Sequence, residues 1–93
     1  MSQNSKVSTY VREGIINALM PTPEQKALIL AGRASLPTAS NVYLFTKIFT
    51  SLRTIQEATQ KLAAEGILVK QGRGVYSLSA VAAGIATAAS ASN

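Results

Sequence analysis

Arg53, Thr54, Gln56, Gln60 and Lys61 fall in one short run, and Lys70 and Arg73 follow closely behind it. Guanidinium and carboxamide groups at helical spacing can pair with base edges, arginine with guanine O6 and N7, glutamine with adenine N6 and N7. Cations just beyond them suit phosphate. The chemistry in view is therefore recognition of a polyanion rather than a reaction. With no cysteine, histidine or aspartate, the chain cannot assemble a zinc cluster, a thiol nucleophile, an imidazole base or a pair of aspartates. Its four acids are Glu13, Glu24, Glu57 and Glu65. Glu57 and Glu65 can share a helix face, but without a second base or a metal they read as a solvated face. No enzyme activity, metal or cofactor is expected.

These groups need a scaffold. Ser51–Glu65 reads as one amphipathic helix with Ser51 as its cap, Ile55, Ala58, Thr59 and Leu62 facing inward, and Arg53, Gln56, Glu57 and Gln60 facing out. Gly66 sits where the helix needs a left-handed residue to end. Ile67–Gln71 and Val75–Ser79 are strand-like runs around Gly72, Arg73 and Gly74, which predicts a hairpin.

Upstream, Val7, Tyr10, Val11, Ile15, Ala18 and Leu19 form the stripe of a first helix that ends near Met20. Thr22 begins a T-x-x-Q capping box, with Pro23 at the first helical position, so a second helix runs from Pro23 to about Ala31 and stops at Gly32. Residues 33–41 are a polar connection with room for a very short strand. Val42–Phe49 carries β-branched and aromatic residues, yet Leu44 with Ile48 and Phe45 with Phe49 are paired at helical spacing. It is read as a helix capped by Ser40 or Asn41.

The fold class expected is mainly α with a small β-hairpin: a winged helix-turn-helix over 7–79 with an extra amino-terminal helix at 7–20. Residues 1–6 are expected to be a flexible amino terminus. The Ala-rich stretch 80–93 is either a frayed tail or a short helix, packed on the first helix or on a second subunit through Val81 and Ile85.

Ninety-three residues, nearly half of them apolar, provide one small core. A net charge of +5 suits a polyanionic partner, although a basic surface alone is the plainer reading. The sequence begins without a secretory signal and holds no run of ~18 apolar residues that could span a bilayer. A cytoplasmic, nucleoid-associated protein without membrane contact is the expectation.

Segment 36–78, a little under half the chain, resembles the DNA-binding half of the GntR family of bacterial winged-helix regulators. The resemblance is carried by Leu36-Pro37-Thr38, by Ser51-Leu52-Arg53-Thr54-Ile55-Gln56, by Leu62-Ala63-Ala64-Glu65-Gly66-Ile67-Leu68, and by Gln71-Gly72-Arg73-Gly74-Val75-Tyr76. Leu52 and Gln56 stand where family members carry arginines, and segment 38–51 is slightly longer than usual. Only residues 80–93 follow the wing, where the family has an effector-binding domain, so no small-molecule effector is expected.

The resemblance implies a recognition helix at 51–65 in a DNA major groove and a wing at 67–79 on backbone or minor groove. Ser51, Arg53, Thr54, Gln56 and Gln60 are then the candidates at base edges or nearby phosphates, with Lys61, Lys47, Lys70 and Arg73 at phosphates or, for the wing, in the minor groove. A single module gives limited specificity, so a homodimer on double-stranded DNA is expected, joined through Tyr10, Ile15, Ile16 and Leu19. The function this implies is transcriptional repression, of the kind short regulators of plasmids and phages perform. A weakly specific factor of replication, partition or DNA architecture, and a winged helix used to bind protein, are the other readings.

Overall fold

The computed structural model describes residues 8–85, so the expected amino-terminal segment, Val7 and the chain beyond Ile85 lie outside the described residues. Among the described residues there are four helices, α1 (Thr9–Leu19), α2 (Pro23–Leu30), α3 (Asn41–Lys47) and α4 (Leu52–Ala64). Three strands accompany them, β1 (Thr38–Ser40), β2 (Leu68–Gly72) and β3 (Val75–Leu78). The strands form an antiparallel sheet in the order β1-β3-β2.

Hydroxyl side chains start every helix. Ser8, Thr22, Ser40 and Ser51 each accept a hydrogen bond from the backbone N–H three residues on, satisfying a donor that the helix itself leaves free. Thr22 and Gln25 complete the expected capping box. At the far end of α4, Gly66 takes φ +83°. Its N–H donates to the Ala63 carbonyl, and that of Ile67 to the Leu62 carbonyl, the reciprocal pair that closes a helix on a left-handed glycine. Beyond β3, Ser79 caps Ala82 N–H, and the Ala83 and Ile85 N–H groups bond back to Ser79 and Ala80, so residues 80–85 make a single closed turn.

One core joins the elements. Val11, Ile15 and Leu19 of α1 meet Leu44 and Ile48 at α3, Ile55, Ala58 and Leu62 of α4, and Leu68, Tyr76 and Leu78 of the sheet, with Ala83 of the last turn enclosed as well. The spacing of Ile55, Ala58, Thr59 and Leu62 puts them on one helix face, and all four are buried. In contrast, α2 buries no residue. Its apolar side chains, Leu28, Ile29 and Leu30, are consecutive and point around the helix instead of along one face.

Two sequence expectations change in detail, and a third takes definite form. The helix expected over 42–49 begins at Asn41, capped by Ser40, and ends at Lys47, because Ile48 has extended backbone angles. Phe45 and Phe49, paired at helical spacing, do not enter the core and are exposed, whereas Leu44 and Ile48 do enter it. The short strand allowed for in residues 33–41 is β1, which pairs Ala39 with Tyr76 on the edge of β3 that β2 leaves free.

Candidate nucleic-acid interface

Helix α4 presents its polar ridge opposite the buried stripe. Arg53, Gln56, Glu57 and Gln60 are exposed, and Thr54 and Lys61 lie half-buried at its edge. At the amino-terminal end the Ser51 hydroxyl accepts from Thr54 N–H at 3.1 Å and lies 2.8 Å from the Thr54 hydroxyl, so the two side chains are held together over the first turn. Arg53 donates through Nε to Glu57 at 3.2 Å, one turn along, in an exposed i,i+4 pair. The Glu57 carboxylate thus faces the guanidinium on the same ridge.

The hairpin of β2 and β3 turns through Arg73 and Gly74, with a register shift between Lys70 and Gly72. Gly74 has φ +66°, a backbone setting that side chains resist. Lys70 and Arg73 are exposed on this hairpin. Ser77, which alternates with the core residues Tyr76 and Leu78 along β3, is buried, and Gln71 Nε2 donates to its hydroxyl at 2.8 Å.

A small polar joint ties the hairpin to both helices. Asn41 N–H, at the start of α3, donates to the Gly74 carbonyl at 2.8 Å. The Thr59 hydroxyl, fully buried on α4, lies 3.0 Å from Asn41 Oδ1 and 3.1 Å from the Gln56 carbonyl, and its one proton serves both acceptors. Asn41 therefore links α3, α4 and the hairpin tip, and so orients the hairpin relative to the polar ridge. Helical spacing identifies Asn41 only as a possible helix cap and Thr59 only as core. A hydroxyl at a core-facing helix position was the available signal, since buried polar groups require partners.

The remaining expected positions lie on α3 and α1. Lys47 sits 5.4 Å over the Tyr43 ring and lines a groove between α1 and α3. Of the four residues of α1 expected to meet a second copy, Ile15 and Leu19 are enclosed in the core of this chain, because they continue the stripe begun by Val11. Tyr10 is exposed and Ile16 half-buried. Arg12 on α1 pairs with Glu65 at the end of α4 at 3.1 Å.

Among the described residues no group of His, Cys, Asp or Glu could hold a metal ion, and no helix is long and apolar enough to cross a membrane. Helix, turn and helix followed by an antiparallel hairpin, with an added first helix and a short third strand, make this a mainly helical α+β domain of winged-helix type. No family model matches the chain, and neither the curated proteins nor the solved structures provide a match.

Proposed function

We propose that the chain is a sequence-specific regulator that binds double-stranded DNA and acts as a dimeric repressor in the cytoplasm. The observation that carries this reading is the Asn41 joint, which sets a hairpin bearing Lys70 and Arg73 in a defined position against a helix whose exposed ridge bears Arg53, Gln56 and Gln60. In this reading α4 enters the major groove, Arg53 and Gln56 meet base edges, and Ser51, Thr54, Gln60 and Lys61 meet bases or flanking phosphates. Arg73 and Lys70 grip backbone or enter the minor groove. Arg53 exchanges Glu57 for its target on binding, a low-cost step because both side chains of the free pair are largely exposed. The likeness of segment 36–78 to GntR regulators adds support. Lys47, beside the α1–α3 groove, is left out of the DNA contacts.

Electrophoretic shift with the protein's own upstream region and with random DNA, repeated across a salt series, tests it. A preference for the upstream region, and affinity falling with a log–log slope of roughly −0.9 per phosphate contact, are expected. Equal retention of both DNAs would leave a weakly specific architectural or replication role. Absence of any salt-dependent retention would remove DNA from the picture.

One observation favours a second reading, a winged helix that binds protein. Tyr10, Tyr43 and Phe49 leave an exposed aromatic face on the α1–α3 side of the domain. That face and the basic ridge are different surfaces, so the two readings are separable by substitution.

A further inference from the structure

Between α1 and α3 lies a cavity of about 400 Å³, walled by Tyr10 and Tyr43 and floored by Gly14, Ala18 and Ile48. The floor exists because Gly14 has no side chain: a Cβ there would lie 3.1 Å from Ile48 Cγ1, tighter than ordinary packing. One wall is pinned, since Phe49 N–H donates to the Tyr10 hydroxyl at 3.1 Å. Phe49, directly after the floor residue Ile48, is 94% exposed. A mainly apolar hole and an apolar knob therefore lie side by side, and seating the ring in the hole would remove apolar area of both from water.

We infer that a second copy of this chain covers the groove, with Phe49 of each protomer seated in the groove of the other about a two-fold axis. A two-fold contact uses one patch twice, so it requires knob and hole on the same surface, which is the arrangement here. Charge complementarity selects the same occupant. Glu13 is exposed on α1, one turn from both Tyr10 and Asn17, and Lys47 lies on the opposite wall of the groove. Among the described residues Glu13 has no cationic partner and Lys47 no carboxylate. With the two-fold axis running along the groove, the α1 wall of one copy lies against the α3 wall of the other, so that each Glu13 faces Lys47 of the partner subunit.

This deepens the dimeric part of the functional reading and replaces Ile15 and Leu19, which the core already uses, with Phe49, Gly14, Tyr43, Glu13 and Lys47 beside Tyr10. It commits Lys47 to the partner subunit rather than to phosphate.

Sedimentation equilibrium of the full chain, without DNA, from micromolar to millimolar concentration tests it. The expected species is a dimer of the 9.7 kDa chain. Phe49→Ser is expected to raise the dissociation constant at least tenfold while the circular dichroism spectrum stays unchanged. Glu13→Lys and Lys47→Glu should each weaken the dimer, and the double exchange should restore most of it, because the opposed pair is rebuilt with its signs reversed. A wild type that is monomeric throughout, a Phe49→Ser variant that dimerises like wild type, or a double exchange no better than the singles would each overturn the proposal. A monomer that still selects its DNA would sink this interface alone. A Phe49-dependent dimer that retains no DNA would sink the DNA reading alone.

Discussion

The face made by α4 and the hairpin and the face made by α1 and α3 are exposed in opposite ways. On the first, hydroxyl, carboxamide and guanidinium groups stand over a tightly bonded frame: Ser51 with Thr54, Thr59 with Asn41, Asn41 with Gly74 and Gln71 with Ser77. On the second, tyrosine and phenylalanine rings flank an open groove, with Phe49 N–H bonded to the Tyr10 hydroxyl. Water solvates the first face well and the second poorly, so the second gains from any apolar cover while the first gains only from a partner of matching polarity and charge. The same small core supports both, which is why a domain of this size can present two unlike surfaces.

The substitution that hurts most is one beneath both faces. Leu44 is fully buried on α3, between the groove and α4. Leu44→Ala is expected to cost about 2–5 kcal/mol in chemical denaturation, by lost transfer energy and the cavity left behind. DNA retention and self-association should fall together. If one survived at full strength while the fold was weakened by that amount, the idea of a shared foundation would fail.

Next in size are the changes confined to the polar face. Arg53→Ala should cost about 1–3 kcal/mol at the specific site and relax preference at one base pair, whereas Arg73→Ala should weaken binding on most sequences to a similar degree. Selection of bound sites from a random DNA pool, run on both variants, distinguishes the two roles. Small and equal effects on every DNA would remove the division between ridge and wing. Neither substitution should change sedimentation, since neither side chain reaches the groove.

Thr59→Val probes the joint itself. The isosteric change keeps the packing and removes the proton that Asn41 Oδ1 and the Gln56 carbonyl share, at a cost of about 1 kcal/mol in stability. Its sharper consequence is looser coupling of the wing. Amide hydrogen exchange should quicken at Asn41, whose N–H bonds the hairpin turn at Gly74, while exchange in α1 is unchanged. Unchanged exchange at Asn41 would show that the wing is held by strand pairing alone.

The helices were legible because their signals are local. A hydroxyl stands before each helix, glycine follows α4, and a regular apolar stripe runs along both α1 and α4. The hairpin was legible from its glycines. What periodicity could not supply was which members of an apolar pair go inside: Leu44 and Ile48 are buried while Phe45 and Phe49, at the same spacing, are not, because α1 crosses only one side of a seven-residue helix. For the same reason Ile15 and Leu19 looked available to a partner. Their stripe is the core stripe, and only the packing of α1 on α3 and α4 decides that. The Asn41 joint was hidden because its three members are distant in sequence, and a hydrogen bond between residues 41 and 59 leaves no periodic trace.

The smallest effect belongs to the ion pair that bridges the two regions. Arg12, on α1, meets Glu65, at the end of α4, at 3.1 Å, with about a third of each side chain exposed. Solvent screens such a pair, and holding two long side chains in one geometry consumes part of the gain, so its net worth is at most about 1 kcal/mol. A double-mutant cycle of Arg12→Ala and Glu65→Ala should give a coupling energy in that range, decreasing as salt is added. Neither substitution should alter sedimentation, because the pair lies outside the groove lining. Glu65→Ala removes a negative charge from the helix proposed to meet DNA, so affinity for any duplex should rise slightly, and Arg12→Ala should lower it slightly. A coupling well above 1 kcal/mol that is insensitive to salt would mean that the two faces are mechanically joined through this pair, and that dimerisation and DNA retention could not then be changed independently.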